Sequence, residues 1–496
     1  MRSSDGLFKL IKSLKSREKA IFRHIAGSRT EDPVYLKLFD RFEKSGSFDV
    51  LNENNVMNEL KFDSRNNFSV TKNYLFELIL KCLSSAQAET SLDDVLRNRI
   101  LGIKLLYEKT LFSKAHELLK KAKKACGDSE NYLRLLEILK WEKNLVIEGV
   151  VKGNKESLLV TLSEEEEHAL KCIGNISSYR LLSFRFNSLI KDSRHKSRKE
   201  FESAIKKFQE LGSLKNEKNA ITLASLITLL EISASINQLL DKPMDVYKYR
   251  KRMITLLDNK PVFLKENLTN YVITLYNLTN TCFALDYLNE TETYITRLKE
   301  VTDKYSASLK QNTGMLISIG LYRLETGLNI IRGEYNRASE NSIKLSQLVK
   351  KYENILTERE KAESLLVSIE GLFLNRDCDD SLKLIAIVNS YNSENIDPET
   401  LLKIKLIQIL ILHEKGNYET ADYQAVSLQR TIKKLETAGY GDIREFETLK
   451  RVLAGLRKIQ SVPELTEFVK TFSEGQKPGK TNTIDKLLMY WMRSRV

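Results

Sequence analysis

Apolar residues recur at helical spacing along most of the chain, and no stretch alternates as a half-buried strand would. The clearest stretch, Leu401 to Lys415, turns through Gly416-Asn417-Tyr418-Glu419-Thr420-Ala421 into a second helical stretch. This spacing predicts a helical hairpin. The glycine takes the open backbone between the helices, the aromatic two residues on seats the second helix on the first, and the alanine five on lets their axes approach. Arg332-Gly333-Glu334-Tyr335-Asn336-Arg337-Ala338 repeats the pattern, and Lys109-Thr110-Leu111-Phe112-Ser113-Lys114-Ala115 repeats it in degenerate form. The gaps between Ala115, Ala338 and Ala421 divide into steps of about 45 and about 42 residues. Weaker hairpins fall at the intermediate places, with Val246, Thr291 and Ser381 in the alanine role and Ile295, Leu298, Ile385 and Val388 following. Internal periodicity of this kind predicts a solenoid.

The first ninety residues read differently. Leu7, Phe8, Ile11 and Leu14 form one apolar stripe, Phe22 and Ile25 belong to a second helix, and Pro33 opens a third bearing Tyr35, Leu36, Leu38, Phe39 and Phe42. Two more, Asn52 to Leu60 and Phe68 to Leu83, are joined by Lys61-Phe62-Asp63-Ser64-Arg65-Asn66-Asn67. From Ser91 the segments lengthen and pair: Leu101 to Lys109 with Lys114 to Cys126, then Tyr132 to Ile147. At the other end, the polar stretch from Ser473 gives way to Leu487, Leu488, Tyr490, Trp491 and Met492 in a short amphipathic helix. It is expected to cap the last hairpin, with docking to a partner as the alternative.

The Gly333-x-Tyr335-x-x-Ala338 and Gly416-x-Tyr418-x-x-Ala421 hairpins resemble the tetratricopeptide repeat, the second with Ile409 and Leu412 before it and Ala425 and Leu428 after it. Thr110, Phe112, Ala115, Leu119 and Ala122 look like the same set. The likeness covers residues 95–475, clearly at three units, and departs from the family in period: the standard repeat is about 34 residues and this one about 40 to 47, which calls for longer helices. The resemblance implies stacked antiparallel helix pairs in a right-handed superhelix with a protein-binding groove. By repeat position, Arg97, Lys104, Tyr107, Arg323, Lys403 and His413 on the first helices of the hairpins are the expected lining of that groove. The whole chain also looks like uncharacterised large bacterial proteins that carry divergent repeats of this sort.

Composition supports the array. A chain of 496 residues is too long for one compact core, and only 6 prolines and 20 glycines punctuate it. Four prolines, Pro33, Pro243, Pro398 and Pro463, stand where a helix would begin. The 5 cysteines, Cys82, Cys126, Cys172, Cys282 and Cys378, have neither metal-ligand nor redox spacing and read as reduced core residues. No secretory pattern opens the chain, and Ala220 to Leu240, the best membrane candidate, is studded with Ser, Thr, Asn and Gln, so a soluble cytoplasmic protein is expected. The net charge of +13 is spread thinly and makes no wholly basic domain.

Candidate chemistry is sparse. Gly475-Gln476-Lys477-Pro478-Gly479-Lys480-Thr481 ends like a nucleotide-binding loop, but its glycines are one residue too close, Pro478 removes a backbone donor and no strand precedes it. Glu164 and His168 share a helix face, yet two ligands do not make a metal site, and a solvated acidic face is expected. His24, His116 and His195 are isolated, and the basic run from Lys191 to Lys199 reads as a linker. The strongest rival function lies in the first ninety residues, where a helix, a short turn and a second helix exposing Arg65, Asn66, Asn67, Thr71 and Lys72 have the spacing of a DNA-reading helix-turn-helix.

These observations predict an all-α protein with a helical domain over residues 1–90, a tetratricopeptide-like solenoid over 91–475 and a tail over 476–496 ending in a capping helix. The expected function is protein or peptide binding, as an adaptor in a bacterial cytoplasm, with no catalytic, cofactor or metal site. The alternative is a transcription regulator whose first domain binds DNA and whose solenoid is a sensor.

Overall fold

The computed structural model describes residues 3–14, 16–27, 33–45, 53–87, 91–192, 198–306, 309, 311–437, 443–474 and 483–495, and all their regular structure is helical. Contacts divide the chain into two compact units, Met1–Gly174 and Asn175–Val496.

The first unit opens with α1 (Ser3–Ser13), α2 (Ser16–Gly27), α3 (Val34–Lys44), α4 (Glu53–Glu59) and α5 (Arg65–Gln87). The apolar stripes expected there meet in one core, in which Leu7, Ile11, Phe22, Phe39, Leu75 and Ile79 are buried. Then come α6 (Leu92–Glu108), α7 (Phe112–Ser129), α8 (Tyr132–Ile147) and α9 (Lys155–Asp192), and the boundary between units falls inside α9. The acidic run of α9 is tied to its neighbours. Lys123 of α7 pairs with Glu142 of α8 at 2.8 Å and with Glu165 of α9 at 2.7 Å, while Lys143 of α8 holds Glu166 at 2.5 Å.

The second unit holds α10 (Arg198–Gln209), α11 (Gly212–Lys215), α12 (Leu223–Leu239), α13 (Pro243–Asp258), α14 (Pro261–Glu266), α15 (Leu268–Ala284) and α16 (Leu288–Lys304). It continues through α17 (Gln311–Arg332), α18 (Tyr335–Lys351), α19 (Glu358–Leu374), α20 (Cys378–Asn389), α21 (Pro398–Glu414) and α22 (Tyr418–Thr437), and closes with α23 (Ile443–Leu456), α24 (Val462–Glu474) and α25 (Thr483–Arg495). Consecutive helices pair as hairpins: α12 with α13, α15 with α16, α17 with α18, α19 with α20 and α21 with α22. The first helices of the last four hairpins pack on one another in order, α15 on α17, α17 on α19 and α19 on α21. The stretch considered for a membrane span is α12, which buries Leu229, Leu230, Ile232 and Ile236 in the protein. No helix among the described residues is long and apolar enough to cross a membrane.

One backbone device builds six of the turns that join paired helices. Thr110, Asp241, Asp286, Gly333, Arg376 and Gly416 all have positive φ, between 54° and 76°. Each lies two residues before the second helix of its hairpin, and those from 241 to 416 follow at 45, 47, 43 and 40 residues. In each turn the left-handed residue donates its N–H three residues back and the next residue donates five back, as in Glu334 to Asn329 at 2.8 Å, Asp377 to Leu372 at 2.9 Å and Asn417 to Leu412 at 2.9 Å. These bonds satisfy carbonyls that a helix end leaves orphaned. Five residues on, Ala115, Thr291, Ala338, Ser381 and Ala421 are 0% exposed and Val246 is 2% exposed, so the weak hairpins seat the same small, buried position as the clear ones.

Non-glycine residues at the left-handed position carry a steric cost, greatest for β-branched Thr110 at φ 58°. Thr110→Gly should therefore stabilise the first unit by up to about 1 kcal/mol, net of glycine's larger unfolded-state entropy. A urea midpoint that fails to rise would contradict this. Close packing sets the opposite constraint at Gly371 of α19, where a Cβ would stand 2.2 Å from Ser342 Oγ and 3.1 Å from the Ala338 carbonyl oxygen.

Candidate functional site

The C-terminal helix α25 is the most distinctive element of the second unit. Beyond packing on α23 and α24, it reaches α19 and touches the turn ends of four hairpins. Lys486 pairs with Asp286 at 3.2 Å, in the α15–α16 turn. Tyr335, at the start of α18, donates its hydroxyl to the Tyr490 carbonyl at 3.1 Å. Arg376, in the α19–α20 turn, donates to the carbonyls of Ser494 and Arg495 at 3.3 and 3.2 Å, where orphan carbonyls at a helix C-terminus favour a cation.

The strongest hold is on Glu414, the last residue of α21. Its carboxylate accepts Trp491 Nε1 at 2.7 Å and Arg495 Nε at 2.6 Å and Nη2 at 2.9 Å. Arg495 also donates to the carbonyls of Phe373 and Leu374 at 3.0 and 3.2 Å, so the C-terminus of α19 receives an arginine from α25, as that of α25 receives Arg376 from the α19–α20 turn. Trp491 is 1% exposed. The Cys378 thiol donates to Glu414 at 3.4 Å, and burial, helped by that carboxylate, pushes its pKa up to about 11. The expectation that this helix caps the last hairpin is thus too narrow.

Beside α25 lies a cavity of about 460 Å³. Phe283, Ile330, Leu366, Val367 and Leu374 supply apolar wall, and α25 contributes Lys486, Leu487 and Tyr490. Arg323 and Lys403, both expected at a groove, are brought together here with Glu370, which was not anticipated. Arg323 lies 3.9 Å from Glu363, and Lys403 pairs with Glu399 at 2.6 Å. Glu370 has no hydrogen bond or ion pair among the described residues. Burial raises its pKa, and Lys403 opposes that shift.

The other expected groove residues are placed elsewhere. Arg97 and Lys104 are exposed on α6 and pair along their own helix with Asp93 and Glu108. Tyr107 packs on Phe112 and Trp141 and donates to Glu148 at 2.8 Å. His413 is a correction: it is 2% exposed, neither ring nitrogen has a partner among the described residues, and burial lowers its pKa, so it belongs to the core of α21 and not to an open surface.

Of the helix-turn-helix set, Arg65, Asn66 and Asn67 are exposed at the start of α5 and Thr71 is half-buried. Lys72 departs from the expectation. It is 8% exposed, pairs with Glu53 of α4 at 3.0 Å and lies over the Phe68 ring, so its charge is spent inside the unit. His168 faces Cys172 at 3.5 Å, and no group of three metal-ligating side chains occurs among the described residues. The Gly475–Thr481 loop and the middle of the basic run at 193–197 lie outside the described residues.

The chain is an all-α protein of stacked helical hairpins. No family model matches it, and no curated protein does. Among solved structures it is similar to a signal-transduction ATPase with numerous domains that carries a tetratricopeptide-repeat sensor, from Pyrococcus horikoshii, at 10% identity and a TM-score of 0.39 over 91% of this chain. The match spans 65% of that protein's chain.

Proposed function

We propose that this chain is a cytoplasmic binding scaffold, not a catalyst, whose hairpin turns in residues 175–496 receive amphipathic helices of partner proteins. The observation that carries the reading is the seating of α25. A short helix of this chain already lies across those turns as a ligand helix would, with a buried aromatic anchor, Trp491, and an arginine, Arg495, held by the carboxylate of Glu414. Aromatic and arginine anchors of this kind carry most of the energy in helix recognition. A partner helix with an aromatic residue and an arginine one turn later has the chemistry to replace α25.

The test uses the full chain and its Trp491→Ala variant, which loosens α25 and keeps Glu414, as baits in cell lysate, each with and without nuclease and with and without a synthetic peptide of residues 483–495. Protein partners enriched on the variant and displaced by the peptide are the expected result. Partners that ignore the peptide would overturn the reading. Nuclease-sensitive recovery of DNA would move it to the regulator, whose exposed residues are then Arg65, Asn66 and Asn67.

A further inference from the structure

The cavity beside α25 has a charge balance that singles out one group. Each wall cation already has a carboxylate: Lys486 has Asp286 at 3.2 Å, Lys403 has Glu399 at 2.6 Å and Arg323 has Glu363 at 3.9 Å. Glu370 alone among the wall acids is left without a hydrogen bond or ion pair among the described residues, although it stands in an otherwise apolar stretch of α19, Ile369-Glu370-Gly371-Leu372-Phe373. Lys403 acts on Glu370 only through space and is itself paired with Glu399, and a carboxylate in such a place is costly unless a hydrogen-bonded counter-charge meets it. The rest of the wall, Phe283, Ile330, Leu366, Val367 and Leu374, offers apolar surface and no further unpaired charge. A volume of about 460 Å³ lies in the range of small-molecule sites.

We propose that this cavity binds a small organic cation, a protonated amine on an apolar body, with Glu370 as its counter-ion. The ammonium donates to the Glu370 carboxylate, and the body lies against Phe283, Leu366 and Val367. Because α25 supplies Lys486, Leu487 and Tyr490 to the wall, the bound amine also contacts the helix that partners would replace. The proposal does not rest on the scaffold reading: the amine binds the chain with α25 seated, whether or not any partner exchanges with that helix.

Isothermal titration of the full chain with 2-phenylethylamine, n-hexylamine and L-phenylalaninamide tests the proposal, with 3-phenylpropanamide and 3-phenylpropionate as neutral and anionic counterparts of the first. At least one amine should bind with one site per chain, and the two counterparts should not bind. Glu370→Gln, which keeps the shape and removes the charge, should weaken amine binding by roughly ten- to a hundredfold, the usual worth of a charged hydrogen bond. Val367→Phe, which fills the cavity and keeps the carboxylate, should abolish binding, so the test survives if the Gln variant folds poorly by circular dichroism. The proposal fails if no amine binds, if the neutral counterpart binds as well as the amine, or if either variant that folds binds as the parent does.

Discussion

Replacing Glu414 with alanine should release α25 from the hairpin turns while leaving the hairpins folded. The substitution removes the acceptor for Trp491 Nε1 and for both Arg495 contacts, in a pair whose side chains are only 15% and 12% exposed. Breaking one side of a largely buried pair costs about 3–5 kcal/mol, because the Arg495 charge keeps only neutral acceptors and no counter-ion among the described residues and the indole N–H loses its acceptor. Against this, α25 is a 13-residue helix, and helices of that length are marginal in water without tertiary contacts. The chain has 2 tryptophans, so Trp141→Phe leaves Trp491 as the sole indole reporter. In that background Glu414→Ala should shift the emission to the red and open it to acrylamide quenching, and far-ultraviolet circular dichroism should fall by no more than the one helix. Glu414→Gln, which retains one carbonyl acceptor, should give an intermediate change. Unaltered emission in the alanine variant would mean that apolar contacts of Ile484, Leu487 and Leu488 hold α25 without the clamp.

The hairpins were legible because their determinants are local. A left-handed residue, a residue two on that starts the next helix and a small buried residue five on lie within one short window, and even where the left-handed residue is Asp241, Asp286 or Arg376, the small position at 246, 291 or 381 still stands out. The seating of α25 was not legible, because its partners lie 77 residues away at Glu414 and 200 away at Asp286, and nothing in an amphipathic 13-mer names the surface it will cover. His413 was placed at a groove by repeat position. That inference needs a helix with two faces, and α21 buries Ile404, Leu406, Ile407, Ile409, Leu410 and Ile411 together, so periodicity there does not distinguish inside from outside. The sequence does carry a usable signal: Glu370 is the one acid between Ser364 and Leu374 of α19, and Glu414 ends the apolar run of α21. Such residues are expensive to bury and so point to a partner. Lys72 fails as a DNA contact for the converse reason, since its pairing with Glu53 depends on how α4 folds back on α5.

Arg250→Ala should be the most damaging single change in the hairpins of the second unit. The guanidinium, 6% exposed on α13, donates to the Asn277 carbonyl at 3.1 Å, to Thr281 Oγ1 at 2.7 Å and to Gln238 Oε1 at 2.7 Å, so it joins α12, α13 and α15. It is also the cation that opposes the upward shift burial imposes on Glu231. Its removal leaves those acceptors and the Glu231 carboxyl inside the protein without it, a loss of about 3–5 kcal/mol. In a stack where each hairpin touches only its neighbours, the loss should stay local. Amide exchange in α12, α13, α15 and α16 should therefore accelerate by roughly two to three orders of magnitude, while α19, α21 and the Trp491 emission stay as they were. Adding Glu231→Leu should recover part of the lost protection, because the carboxyl stranded by the first change is then gone. Equal acceleration through α25 would show that residues 175–496 open as one cooperative body, and the nearest-neighbour account of their stability would have to be given up.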